Sequence, residues 1–547
     1  MGVRAVIIGG VAGGMSAAAR LRRLLDDAEI VVLEKSGHVS YANCGLPYYV
    51  GGVIKDEDDL LLQTPDTLYQ RFRLDVRVRH EATVLDTARK RVSVRDLDHD
   101  STYTLDYDVL VLSPGAQAVV PPIPGVERAL VLRTVEDVER LRSAALEART
   151  AVVIGGGFVG LEVAENLNRR GIDTTVVEAT EQVLAPLDPE MAEHVLDELV
   201  RHGVAVYLGT GVEALDERTV TLANGERLGA DLVVVAIGVR PEIHLARAAG
   251  LAIGPRGGVA VDEYQRTSDP AVYAVGDAVE KSDALDGSAA LVPLANIANR
   301  QGRVAADHIA GRPVRPRPAL GTAIVKVFGL TVAVTGWSEK RLRAAGRPAQ
   351  AIHTHPSSHA GYYPGAKEMA LKLVVDPTNG AILGAQGVGR DGVDKRIDVI
   401  ATALRAGLRA EELADLELAY APPFSSAKDP VNMLGYVAEN VLSGLGSTAQ
   451  WDEVADLQSE GTLLLDVRTA REFSHGHIPG SLNIPVDELR ERVGEIDAAE
   501  VLVVCQVGVR GWTAVRILRA LGVDARNLDG GFETWSRSPA ARSLEFA

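Results

Sequence analysis

Two cysteines are all the thiol chemistry that this 547-residue sequence holds, and neither has a second cysteine nearby. Cys44 sits in SYANCGLPYYV (40–50), about thirty residues after a glycine-rich turn, and five residues on stands Tyr49. Cys505 closes the apolar run VLVVC and opens CQVGVR, which leads into GWTAVRIL. A lone thiol can cycle through sulfenic acid with peroxide or oxygen, or through a mixed disulfide with a small thiol. The thiolate is the attacking form. Asn43 followed by CGLPYY reads as a turn that opens a helix, and a helix N-terminus lowers a thiol pKa. At Cys505, a six-residue loop between a strand and a helix can aim backbone N–H groups around a sulfur anion. Arg510 would add a positive charge at the end of that loop.

The elements that must carry Cys44 are nucleotide-binding units. RAVIIGGVAGGMSAAARL (from Arg4) and TAVVIGGGFVGLEVAENL (from Thr150) each read as strand, glycine turn and helix. Gly155, Gly157 and Gly160 form a full GxGxxG, which gives a tight turn, room for a pyrophosphate and close helix packing. Glu178 ends the next strand, where a carboxylate holds a ribose 2′-hydroxyl. No Lys or Arg stands at 179–182, so NADH is favoured, with NADPH the lesser possibility. The first unit, Gly9 to Gly14, is less regular, with Val11 at the middle glycine position and Ala12 next. Glu34, followed by Lys35, restores the pattern.

The totals restrict the rest. The net charge of -17 argues against a nucleic-acid surface, which needs clustered Lys and Arg. No apolar run reaches the roughly 18 residues that cross a bilayer. MGVRAVIIGG begins a strand almost at once, with no leader pattern, and so few cysteines suit a reducing compartment, so the cytoplasm is expected. Asn224-Gly225 marks a hairpin, β-like stretches begin near Gly321, and a helix is expected over 394–406. LSGLGSTAQ (442–450) reads as a linker before a fresh alternation of strands and helices. His353, His355 and His359 have no carboxylate or Cys close in sequence to complete a set, so no metal is expected.

TSDPAVYAVGDAV (267–279), with Gly276 and Asp277, resembles the distal flavin motif of the pyridine nucleotide-disulfide oxidoreductases. LVLSPGA (110–116) and AIGVRP (236–241) extend the resemblance to roughly residues 1–445. It implies FAD on Gly9, Ala12, Gly14, Glu34, Lys35, Gly276 and Asp277, and NADH on Gly155, Gly157, Gly160 and Glu178. SYANCGLPYY is similar to the active-site segment of coenzyme A-disulfide reductases. Related peroxidases carry a His within the first glycine turn, where Ala12 stands here. The resemblance places coenzyme A at Ser16, Arg20, Arg23, Ser40 and Asn43, with Lys428 as a further phosphate contact. SHAGYYPGAK (358–367) and AYAPPFSSAKDPVNMLGY (419–436) resemble that family's interface domain. This implies a homodimer in which Tyr362 or Tyr363, with Tyr420, approaches the partner's thiol site. Residues 451–547 resemble a rhodanese, with Cys505 as the sulfur carrier and Asp466 and Arg468 organising the domain.

The fold class expected is α/β. Two interleaved Rossmann-like domains bind FAD (1–118 and 245–325) and NAD(P)H (119–244). An α+β dimerisation domain (326–442), a linker (443–450) and a rhodanese-like domain (451–547) follow. The function implied is NADH-dependent reduction of coenzyme A persulfide or polysulfide through a Cys44–coenzyme A mixed disulfide. Cys505 loads the sulfur, aided by the high effective concentration of a tethered module. Plain coenzyme A-disulfide reduction, NADH oxidation, and a flavin redox sensor with a partner-binding rhodanese module are the alternatives.

Overall fold

A computed structural model describes residues 2–545, so residues 1, 546 and 547, at the ends of the first and last expected domains, lie outside it. The chain forms two compact units, 1–181 with 203–321, and 182–202 with 322–547.

The first unit holds two parallel sheets. One runs Val272–Ala274, Val109–Leu112, Arg4–Ile8, Glu29–Leu33, Asp75–Arg77 in spatial order. The other runs Ala205–Tyr207, Asp173–Val177, Thr150–Ile154, Leu232–Val235. Most Val, Ile and Leu side chains of these strands are buried, and one face of each sheet packs against a small antiparallel sheet, through Val92 and Val94 in the first and Val220 and Leu222 in the second. In each sheet the strand that precedes the glycine turn lies where the strand order reverses, which opens a crevice at its C-terminal end. The Asn224-Gly225 hairpin forms between Thr219–Leu222 and Arg227–Gly229, with Gly225 at φ 86°.

The second unit begins with a five-stranded antiparallel sheet. Its spatial order is Ala323–Val327, Leu330–Gly336, Ile382–Gly389, Met369–Val375, Gln350–Thr354. Helices Val393–Ala406 and Pro430–Leu442 pack with this sheet in one apolar core through Ile397, Ile400, Val431 and Leu434. Helix Pro189–Arg201 belongs to this unit too. It lies within the stretch expected to form the nucleotide domain, and the Asp188 N–H before it bonds Gln386 at 2.8 Å. The expected boundary at 325 falls inside strand Ala323–Val327, so the break lies at Gly321.

The rhodanese-like part is a parallel sheet ordered Thr448–Ala449, Asp524–Leu528, Glu500–Val504, Leu463–Asp466, Leu482–Asn483. The linker is therefore shorter than 443–450. Only 443–445 are exposed, Gly446 packs on Trp512, and Thr448–Ala449 is already an edge strand.

Candidate active site

Cys44 occupies a single turn, Asn43–Gly45, that runs into helix Leu46–Val50. Pro47 favours that start because its missing N–H costs nothing in a first helical turn. Leu46, Tyr49 and Val50 are buried, which fixes the helix and leaves Cys44 exposed. The nucleotide domain holds the far end: Arg170 donates to the Val50 carbonyl at 2.8 Å, and Arg142 lies over the Tyr49 ring and donates to its hydroxyl. The position five residues after Cys44 is thus structural.

The expected lowering of the Cys44 pKa is not what the surroundings produce. Crowding by neighbouring atoms pushes the thiol up, the Glu162 and Asp277 carboxylates add to this, and Arg133 opposes them. The helix has only five residues, too few for a strong dipole to offset these effects. Glu162 stands one turn into helix Phe158–Arg169 and accepts a hydrogen bond from Tyr48 at 3.0 Å. Burial raises the Glu162 carboxyl to about 7. Sequence reasoning missed Glu162 and Tyr48. Their signals were an acid in the apolar helix after the glycine turn, and a second tyrosine one turn beyond the cysteine.

Glu162→Gln removes a charge that opposes the thiolate. In reduced enzyme, the Cys44 titration followed by alkylation rate moves to lower pH; an unmoved curve separates Glu162 from the thiol.

The residues assigned to FAD gather at the first crevice. Gly9 has φ 101°, and a side chain at Gly14 would strike the Gly9 carbonyl 1.9 Å away. Ala12 begins helix Ala12–Leu24. Glu34 accepts the Gly10 and Ser36 N–H groups at 2.7 and 2.8 Å, and burial raises its pKa. Asp277, beside Gly276, pairs with Arg133 at 3.4 Å, and the Arg133 carbonyl accepts from Asn43. Arg133, also missed, links the flavin-motif carboxylate to the cysteine turn. Helix N–H groups with carboxylates at strand ends suit the pyrophosphate and hydroxyls of a dinucleotide, so these residues fit FAD. Lys35 does not join them: it is exposed and pairs with Glu81 at 2.6 Å.

At the second crevice Gly157 has nothing within 4 Å of where a side chain would begin, so a pyrophosphate has room to approach. Gly160 packs against the Gly155 carbonyl, and Glu178 accepts the Gly156 N–H at 2.7 Å.

The expected coenzyme A contacts divide. Asn43 adjoins Cys44, and Ser40 is held at φ 50°. Ser16 donates to Asn299 at 2.9 Å, and Arg23 is exposed beside the Phe72 ring. Arg20 is committed to Asp307 at 2.6 Å, so the free cationic pair expected for phosphates reduces to Arg23. In the second unit Tyr362 and Tyr420 share a hydrogen bond of 3.0 Å and are exposed, as are Tyr363 and Lys428.

Cys505 is buried at the end of strand Glu500–Val504, and its sulfur accepts the Gly508 N–H at 3.1 Å. Gly508 has φ 94° and precedes helix Val509–Ala520. Arg510 does not present a free charge: Glu472 takes it in a two-pronged pair at 2.6 and 2.8 Å, and the arginine holds the Glu472 carboxyl down at about 2. The arginine therefore pins the loop to helix Ala470–Ser474. Asp466 and Arg468 form a buried pair, and Arg468 also reaches Gln506 at 3.2 Å and lies over Phe532. Arg468→Met leaves a buried carboxylate unpaired, at a cost of about 3–5 kcal/mol. Thermal unfolding followed by tryptophan fluorescence, to which Trp451, Trp512 and Trp535 contribute, shows an early transition in the variant.

Three comparisons extend this picture. The pyridine nucleotide-disulphide oxidoreductase model matches residues 3–302, its dimerisation-domain model 322–430, and the rhodanese-like domain model 450–538. The crystal structure of reduced Bacillus anthracis CoADR-RHD is 46% identical, with TM-score 0.97 over 98% of each chain. The NAD-dependent persulfide reductase from A. fulgidus is 39% identical, with TM-score 0.92 over 97% of this chain and 100% of its own. Coenzyme A disulfide reductase of Staphylococcus haemolyticus is 34% identical over 80% of this chain and 99% of its own. No helix among the described residues is long and apolar enough to cross a membrane. The glycine crevices, the flavin-motif carboxylate and the cysteine turn thus belong to one enzyme class, and the chain is a member of the FAD-dependent pyridine nucleotide-disulfide oxidoreductases, using FAD and NAD(H), with a C-terminal rhodanese-like domain.

Proposed function

We infer that the protein is an NADH-dependent reductase of coenzyme A persulfide or polysulfide that releases hydrosulfide. The observation that carries this reading is the presence in one chain of two unpaired thiols in different settings: an exposed one beside a flavin crevice and a buried one whose sulfur accepts a backbone N–H. Coenzyme A serves here as substrate and sulfur carrier, not as a resident cofactor. FAD supplies the two-electron transfer from NADH to a Cys44–coenzyme A disulfide.

That reduction frees the Cys44 thiolate and coenzyme A. The coenzyme A thiol takes the outer sulfur of a Cys505 persulfide, leaving the Cys505 thiol. Cys44 thiolate then attacks the inner sulfur of coenzyme A persulfide, re-forms the mixed disulfide and expels HS⁻. The balance is NADH plus one protein persulfide to NAD⁺, one thiol and HS⁻. Glu162, near 7 and bonded by Tyr48, is placed to exchange the proton of the thiols made at Cys44. Tyr362 with Tyr420, and Tyr363 beside them, serve the thiol site of the partner in a homodimer, and the dimerisation-domain match supports that assembly.

The site tells the rival sulfur reactions apart by substrate. NADH oxidation with coenzyme A persulfide, coenzyme A disulfide and oxygen, measured side by side, tests the reading; a kcat/KM highest for oxygen overturns it. Glu178 sets the nucleotide. Its carboxylate is held at the turn and repels a 2′-phosphate, worth roughly 1–3 kcal/mol, or about ten- to a hundredfold in kcat/KM for NADH over NADPH. Equal use of NADPH contradicts the assignment.

A further inference from the structure

The second unit contains a buried ionic cluster that none of the sulfur chemistry above requires. His353, in strand Gln350–Thr354, bonds Asp529 with Nδ1 at 2.7 Å and Glu190 with Nε2 at 3.0 Å, and its backbone N–H donates to Asp529 at 3.0 Å. Lys372 joins the same cluster, at 2.6 Å from Glu190, 2.7 Å from Glu339 and 3.0 Å from Asp188. His353, Lys372, Glu190, Asp188 and Asp529 are all almost fully buried. Burial opposes a charge on His353, but the bonds to Asp529 and Glu190 outweigh it and raise its pKa to about 9. The Glu190 and Asp529 carboxylates act as ion-pair partners of the histidine.

The cluster joins three matched regions. Glu190 and Asp188 lie in 3–302, His353, Lys372 and Glu339 in 322–430, and Asp529 in 450–538. Polar contacts flank it: His355 to Thr534 at 2.7 Å, Gln450 to the Ala351 carbonyl at 3.2 Å, Arg343 to Asp452 at 3.2 Å, and Arg537 to Asp197 at 3.1 Å. Beside Asp529, helix Gly531–Ser536 grips the sulfur loop: Phe532 N–H donates to the Cys505 carbonyl at 2.7 Å, and Glu533 bonds Gln506 through both backbone and side chain. Gly530, at φ 66°, has no room for a side chain because the Cβ of His353 would lie 2.8 Å away. Charges taken out of water are tolerated only in a closed, well-paired geometry. A module that undocked in each cycle would have to break the His353–Asp529 pair and leave the remaining buried charges open to water.

We propose that the rhodanese-like module works from a fixed seat on the antiparallel sheet, locked by the His353–Asp529–Glu190 cluster, so that sulfur leaves Cys505 on a small diffusible thiol while the module stays in place. The contribution of tethering is then orientation, not a swinging arm. The relay step rests on the function proposed above; the seat does not.

The test inserts a specific protease site between Ser443 and Gly444, in the exposed stretch, in the FAD-loaded full-length enzyme. After complete cleavage the C-terminal fragment is expected to co-elute with the remainder in size exclusion, and sulfide release from a Cys505-loaded persulfide donor to stay within about twofold of the uncut rate. With His353→Ala, or Asp529→Asn as the milder change, the cut fragment is expected to separate while the uncut variant still reduces added coenzyme A persulfide. A wild-type fragment that separates, a bound fragment whose donor-dependent rate falls to that of Cys505→Ser, or variant fragments that stay bound each overturns the proposal. If the intact wild-type enzyme shows no Cys505-dependent rate, the relay is wrong, and co-elution still decides the seat.

Discussion

Cys44→Ser abolishes sulfur reduction altogether: NADH-driven release of hydrosulfide or coenzyme A from every sulfur substrate falls by about 10⁴ or more, because covalent catalysis and not merely binding is removed. Nucleotide binding is unaffected, since the glycine turns, Glu34 and Glu178 make their bonds without Cys44. NADH therefore still bleaches the flavin of the variant in single-turnover absorbance measurements. Intact-mass analysis of the wild-type enzyme shows one coenzyme A adduct that reductant removes and Cys44→Ser lacks. A wild-type enzyme with an unmodified Cys44 that accumulates sulfenic acid in turnover points instead to oxygen or peroxide as the oxidant.

Cys505→Ser divides the substrates. Coenzyme A persulfide added directly is reduced at nearly the wild-type rate, because Cys44 alone meets it. Sulfurtransferase activity and the use of donors that load through Cys505 fall by orders of magnitude, since no other thiol is held by the Gly508 N–H. Sulfide release from both substrate types by both variants is the decisive measurement. If Cys505→Ser reduces polysulfide at the wild-type rate, the loop does not load sulfur and the relay fails. Arg510→Met is a useful companion. Glu472 already neutralises the arginine, so its loss acts by loosening the loop and not by removing a charge from the thiolate.

The sequence by itself determined the parts that local physics specifies. A glycine turn between a Val/Ile-rich strand and an Ala/Leu-rich helix has one common structural solution, so both nucleotide crevices, the acids at their strand ends and the two thiols were legible in order along the chain. The pairing of distant charges was not. Arg20 and Arg510 read as free cations, and only the fold brings Asp307 and Glu472 to them. The direction of the Cys44 pKa shift likewise depends on Glu162 and Asp277, more than a hundred residues away in sequence. His353 was read as lacking acidic partners because its carboxylates come from residues 190 and 529. Coulomb energies follow distance in space, and burial sets how strongly they act; neither can be read from spacing along a chain, so the tertiary structure decided which charges are available for chemistry and which hold the molecule together.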